Sequence, residues 1–409
     1  KELINYRVRY GKMSSLYELK ALRSLDFQTI QLMLPFVYVE SKESISLKPT
    51  PRNLLKYGRN ELFMRYDRNL NKKKGYRMFP DSLLKENPNG RYLGEPFYHS
   101  LRYSYTFKER LQAGFAMEKD AGEPFWKKGY PQYDYYSVHC FYKGSKLIQQ
   151  LAIGDYKASF GQGLLMSMDF SPGRYALITQ AERRSNGFKR HYSTNEVDFL
   201  RGVAASFRMK AFRLNLFYSY RKLDARLDSF QVLSFKRDGL HRMHREAEKK
   251  NQLGLHSGGL NFRFTSSNFR LGATAVYYDF GRYSVQPEER SYNRFAFRGR
   301  NNWGISFDYL IRKGKVKLYG ETAMSMNRAL ATLNTLHFQP ASYMNLVLLY
   351  RKYAKNYQAF YAHPFAQRSS FQGEEGVYLG MNIQPLAHWQ VSVFITLVIT
   401  TNENKNIVK

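Results

Sequence analysis

The chain has 409 residues and carries 64 Lys and Arg against 33 Asp and Glu, a formal net charge of +31. No run of about 18 apolar residues occurs, which excludes a bundle of membrane-spanning helices but leaves a β-barrel open, because barrel strands alternate. The single cysteine, Cys140, excludes a disulfide framework and a thiolate metal cluster.

The first forty residues read as short helices joined by tight turns. "KELINYRVRYG" closes at Gly11, where a left-handed C-terminal cap suits glycine. Ser15 opens "SLYE", a capping box with Glu18, and Leu16, Leu19 and Leu22 give the next helix its apolar side. "FQTIQLMLPFV" follows and stops near Pro35. In this stretch "YRVRYGKMSSLYELKAL" resembles the second half of a tandem helix-hairpin-helix domain of the competence DNA-receptor type. The resemblance implies a hairpin at Leu25, Asp26 and Phe27 whose backbone N–H groups meet DNA phosphates. Asp26 stands where that family carries glycine, and a carboxylate there repels phosphate, which implies a packing module. The first half of the tandem lies outside this chain, so an upstream segment is expected. Residues 41–57 read as a polar, proline-containing linker.

From residue 58 to 409, alternation dominates. "AFRLNLFYSY" sorts into Phe212, Leu214, Leu216, Tyr218 and Tyr220 on one face, opposite Arg213, Asn215, Phe217 and Ser219. "HSLRYSYTF", "NFRLGATAVYYD" and "WQVSVFITL" repeat the scheme, in runs of about nine to twelve residues that suit a tilted membrane strand. About fourteen to sixteen such runs are expected, with short turns near 109, 143, 222, 266 and 312 and long charged connections between the pairs. A soluble sandwich would need a second apolar face for each comb. It would also rarely repeat arginine at inward positions such as Arg102, Arg213, Arg263, Arg270 and Arg351. The fold class expected is therefore mainly β, an antiparallel transmembrane barrel of the bacterial outer membrane, preceded by the helical module. Cys140 shares the face of Tyr136 and Val138 and reads as a small apolar side chain.

"YLGEPF", "EKDAGEPFW", "GDYKASFGQGLLM", "RGVAASF" and "FQGEEGVYLG", in that order, resemble an outer-membrane barrel family of Bacteroidota-type bacteria that carries a helix-hairpin-helix module. The resemblance spans residues 1 to about 394 and implies an outer-membrane address without an assigned activity. The tail "ITLVITTNENKNIVK" departs from it, and Lys409 is not the aromatic residue with which such barrels commonly end. A missing C-terminus or a slipped frame is the expectation there.

Catalytic motifs are sparse: no G-x-S-x-G, H-E-x-x-H or P-loop occurs, so no catalytic residue, metal or cofactor is expected. Gly161 and Gly163 in "FGQGLL" suit a bulge or a loop folded into the lumen. His241 and His244 in "HRMH" read as a solvated basic loop beside Arg242, Arg245, Lys249 and Lys250. Glu118, Asp120 and Glu123, with Asp308 and Glu321, read as charge partners of lumen arginines.

The excess cations ask for a polyanion. The function expected is a non-enzymatic channel or binding scaffold for an anionic polymer or solute, nucleic acid among the candidates and lipid and lipopolysaccharide its surroundings. Arg102, Arg213, Arg263 and Arg270 would line the lumen, and Tyr292, Phe295 and Phe297 would stack on bases or anchor at the interface. The alternative is a plugged component of an envelope assembly whose helical module docks a periplasmic or outer-membrane protein.

Overall fold

The computed structural model describes residues 4–6, 18–19, 22, 25–26, 29–30, 33, 50–71, 73–77, 80–108, 110–127, 129–130, 133–144, 147–169, 181–183, 185–290, 293–368, 370–386 and 389–400. The chain divides into two compact units, Lys1–Gly58 and Arg59–Lys409.

In the first unit Leu19, Leu22 and Ile30 are buried together, with Tyr6 and Leu25 packed against them. Its last element is a helix, α1 (Pro51–Tyr57), inside the stretch read as a linker. The local chemistry explains the difference: the Thr50 hydroxyl accepts the Asn53 N–H, and Pro51 sits in the first turn, where its missing N–H costs nothing.

The second unit is antiparallel sheet. Its first strands are β1 (Arg59–Arg68), β2 (Phe97–Phe107), β3 (Leu111–Lys119), β4 (Tyr135–Lys143) and β5 (Ile148–Ser159). Next come β6 (Gly187–Arg190), β7 (Leu200–Met209), β8 (Phe212–Leu223), β9 (Ala225–Asp228), β10 (Gln231–Phe235), β11 (Leu253–Thr265), β12 (Phe269–Asp279) and β13 (Ser284–Val285). The chain continues through β14 (Asn301–Lys313), β15 (Val316–Ser325), β16 (Leu330–Ala341), β17 (Met344–Tyr353), β18 (Glu374–Leu386) and β19 (Trp389–Thr400). The wall runs β1-β2-β3-β4-β5-β7-β8-β11-β12-β14-β15-β16-β17-β18-β19, and β6 joins β5 to make a 16-stranded sheet. A separate three-stranded sheet orders β13-β10-β9. The "WQVSVFITL" run forms β19 and carries on to Thr400, paired with β18 from Glu374↔Thr400 to Leu386↔Trp389, and the rest of the tail, residues 401–409, lies outside the described residues.

Burial along the wall is inverted relative to a soluble protein. On β8 Leu216, Tyr218 and Tyr220 are exposed, whereas Asn215, Ser219 and Arg221 are buried. Leu271 and Tyr277 are exposed beside a buried Thr274 on β12, and Phe307 is exposed beside buried Ser306 and Asp308 on β14. A surface of this kind is stable only against hydrocarbon. Cys140 lies on the exposed face. At one end of the sheet the strands are joined by connections of only two to four residues (108–110, 144–147, 210–211, 266–268, 314–315, 342–343 and 387–388). The other end carries the connections 69–96, 120–134, 160–199, 224–252, 280–300, 326–329 and 354–373. The apolar belt, the polar interior and this asymmetry are those of a bacterial outer-membrane barrel, whose long loops face outward from the cell. The turn expected near 222 is not a wall hairpin. β8 ends at Leu223 at the long-loop end, and "LDAR" leads into the small β9–β10 sheet.

The connection after β5 enters the interior. β5 continues past the wall, and residues 160–168 cross to the opposite strands, where Phe160, Leu164 and Met166 are buried. Gly161 (φ +57°) and Gly163 (φ +84°) take left-handed backbone there. A Cβ at position 161 would stand 2.6 Å from the Glu321 carboxylate of β15. Glu321 accepts the N–H groups of Gln162 (2.6 Å) and Leu164 (3.0 Å), so it holds the crossing backbone rather than an arginine. The connection 354–373 packs beneath: Ser167 N–H donates to the Tyr361 carbonyl at 2.9 Å, and the Tyr357 hydroxyl to the Leu164 carbonyl at 2.8 Å.

Candidate functional site

The inward arginines occupy the lumen, where Arg213, Arg263 and Arg351 turn donors to internal partners. Arg263, buried, donates to the carbonyl and hydroxyl of Ser185. Arg213, its neighbour in the register between β8 and β11, donates to Gln149 at 2.9 Å. Arg270 is half-buried near the same end of the barrel, opposite Thr265 across the β11–β12 ladder. Arg102 stacks on Phe63 (4.7 Å) and lies 5.9 Å from the Tyr192 ring. Arg351 is fully buried, with its Nε 2.5 Å from Glu374 Oε1.

The aromatic candidates sit elsewhere. Phe297 is half-buried and packs on Tyr278 and Phe280, each at 6.1 Å. Phe295 is exposed, with Lys355 Nζ 5.9 Å from its ring, and Tyr292 lies outside the described residues. Phe295 and Phe297 belong to the 280–300 connection at the long-loop end, while Arg213, Arg263 and Arg270 lie near the short connections. The expected joint site is therefore two regions, because period-2 alternation fixes a face and not a height. In the first unit Leu25 is half-buried and Asp26 exposed, and Phe27 lies outside the described residues. The Asp26 carboxylate accepts the Thr29 N–H at 2.9 Å, the geometry of a helix N-cap, and these Thr29 hydrogen bonds hold its pKa below the usual value.

Alternation did not reveal a cavity of about 430 Å³ at the long-loop end. The starts of β4 and β7, the end of β8, and Lys250 and Asn251 ahead of β11 converge on it, with Phe235 and Tyr361 completing its apolar side. At its base His241, expected in a solvated loop, is 2% exposed. Its Nδ1 lies 2.6 Å from Asp134 Oδ2 and its Nε2 2.8 Å from Asp224 Oδ2. Lys250 Nζ completes the shell of Asp134 at 2.6 Å. Glu123 accepts the backbone N–H groups of Asp120 (2.8 Å) and His241 (2.7 Å), not an arginine as expected. Glu123, Asp134 and His241 place candidate ligand atoms within 4.8 Å of one another. These atoms already have hydrogen-bond partners, so the group reads as a closed ion-pair network. Asp134 directly before β4 and Asp224 directly after β8 were the available sequence signals.

The network sets a pH response. Burial alone would lower the His241 pKa, but hydrogen bonds to Asp134 and Asp224 lift it to about 10. Burial and then the charge of Asp134 push Glu123 up to about 7, and burial with Asp134 and Glu123 pushes Glu196 up to about 9. All three bind protons more tightly folded than unfolded. Their contribution is complete only below the unfolded carboxylate value of about 4.3, declines above it, and is lost as pH passes 7, 9 and 10. Asp134 is lowered despite its burial, chiefly by His241 and Lys250, and acts oppositely only in strong acid. Amide exchange of residues 236–243, corrected for intrinsic rate, should therefore show protection falling from pH 5 to 9. Constant or rising protection would contradict this assignment.

A second, open groove of about 740 Å³ lies on the same end, lined by Asn87, Asn89, Lys236, Arg237, Arg245 and Lys249 with Asp238 and Glu246. Arg237 and Arg245 are exposed there, and Arg237 lies 5.0 Å from the Phe360 ring.

No protein-family model matches the chain, and no curated protein sequence matches it. Among solved structures it is similar to Wzi of Escherichia coli, described as a carbohydrate-binding β-barrel involved in group 1 capsule assembly. That match has 11% identity and a TM-score of 0.39, and covers 99% of this chain and 79% of the other. It is also similar to OpdQ of Pseudomonas aeruginosa, with 9% identity, coverage of 74% and 73%, and a TM-score of 0.40. A third likeness is to an anion-selective porin from Comamonas acidovorans, with 10% identity, coverage of 74% and 78%, and a TM-score of 0.34. The barrel assignment rests on the chain's own register and burial.

Proposed function

We propose that this protein is a plugged, non-enzymatic binding scaffold of the outer membrane whose basic long-loop face holds an anionic polymer or solute, nucleic acid among them. The observation that carries this reading is the division of its cations. Inside the barrel, Arg213, Arg263 and Arg351 are committed to internal partners. At the long-loop end, Arg237, Arg245 and Lys249 line an open groove in which Lys236 pairs with Asp238. Cations in that arrangement attract polyanions by counterion release.

A channel would need residues 160–168 to leave the lumen, and Glu321 anchors them. Planar-bilayer recording separates the two: the purified protein should insert without steady open-pore conductance. A stable, ohmic conductance like that of a general porin would replace the scaffold with a channel.

The second reading, docking of a protein partner by a helix-hairpin-helix-like module, is favoured by Asp26. Its carboxylate is exposed and caps a helix, so it opposes phosphate at that turn and leaves the module to packing.

A further inference from the structure

The wall has a seam. β5 pairs with β7 up to Tyr156↔Leu200, but with β4 only from Lys143↔Gln150 to His139↔Gly154. At Gly154 (φ +90°) a Cβ would stand 2.2 Å from the Val138 carbonyl oxygen, so only glycine fits the bend. Beyond it, Tyr156–Ser159 pair with β6.

Among the described residues, Tyr135 to Val138 of β4 therefore have no ladder to β5, and two side chains stand in for it. Asp155 Oδ2 accepts the Val138 N–H at 3.1 Å, and the Arg201 guanidinium donates to the Tyr136 carbonyl at 2.8 Å. The two side chains grip each other at 2.7 and 2.9 Å. A ladder opens only by unzipping, whereas a side-chain clasp opens by rotamer change on a far shorter timescale.

Two further observations say what the seam faces. Tyr136, Val138, Ile153 and Val203 around it are exposed on the outward belt. The 430 Å³ cavity is lined both by inward Phe199, Met168 and Phe360 and by outward Tyr136 and Tyr220, so it reaches from the interior to side chains of the belt. Arg201, its side chain 48% exposed, stands at the mouth.

We propose that this seam is a lateral portal, with the Asp155–Arg201 pair as its latch, through which an outer-leaflet phospholipid with an anionic headgroup enters the cavity. Arg201 meets the phosphate, and the Phe199–Phe360 side takes acyl carbons. The proposal rests on the reading that the outward belt lies in lipid with the long loops outside.

The test uses liposomes containing phosphatidylglycerol with a diazirine at the end of one acyl chain, photolabelling, and peptide mapping. Labels are expected on outward Val138, Ile153 and Val203 and also on inward Met168, Phe199 and Phe360. Asp155→Asn should raise inward labelling relative to outward roughly five- to tenfold, the change expected when a latch worth about 1–1.4 kcal/mol is lost. Outward labels with bare inward residues in both proteins would overturn the portal alone. Inward labelling only from a water-soluble diazirine amphiphile would place the entrance at the loops and overturn lateral entry. Absence of the outward labels would overturn the membrane reading beneath the proposal.

Discussion

His241→Ala should release the loop-end network and expose the 224–252 connection to protease while the strands of the wall stay protected. The imidazolium is the cation between Asp134 and Asp224, and its backbone N–H caps Glu123. Without the ring, Asp134 retains Lys250 and Asp224 retains the Asn251 N–H, each with its other oxygen uncompensated. Breaking a buried pair by removing one partner costs about 3–5 kcal/mol, enough to shift a local opening equilibrium more than a hundredfold. Limited proteolysis in liposomes, with cleavage sites mapped, measures it. Cleavage in 224–252 at the wild-type rate would show that the network does not hold the connection.

Gly161→Val should open the lumen. Its backbone is left-handed (φ +57°), and the new Cβ would overlap the Glu321 carboxylate. The backbone conformation alone costs a β-branched residue at least about 1–2 kcal/mol, and the overlap adds to it because Glu321 is held in a close-packed interior. The segment 160–168 can relieve both by leaving its seat. The variant should then show discrete conductance steps in planar bilayers and faster amide exchange at Gln162 and Leu164. Silent bilayers and wild-type exchange, from a variant that still resists heat and detergent as a folded barrel, would mean that the plug is held elsewhere.

The wall was legible in the sequence because alternation is local. Phe212, Leu216, Tyr218 and Tyr220 declare a face without reference to distant residues, and the structure exposes all four. The site was much less legible, because its partners are remote. His241 sits among Arg242, Arg245 and Lys249, so its immediate neighbours suggest a solvated loop, yet its burial is decided by Asp134, 107 positions away. Arg263 was readable as inward, but not as the anchor of Ser185, 78 positions away. The seam was hidden for a related reason: "GDYKASF" continues the alternation of β5 across Gly154, where the strand bends into the lumen. Composition gave a surplus of cations but not their places: Arg213, Arg263 and Arg351 have partners inside, while Arg237 and Arg245 are exposed at the long loops.

The central claim is tested most directly by binding of a single-stranded DNA oligomer to the detergent-purified protein across a salt series. An Arg237→Ala/Arg245→Ala/Lys249→Ala variant serves as the comparison. We predict micromolar or tighter binding at low salt and a linear fall of log K with log salt. The slope should be shallower by about two in the variant, since each phosphate contact on single strands contributes about 0.7. No binding at low salt, or a slope unchanged by loss of the three cations, would contradict a polyanion-binding role for the long-loop groove.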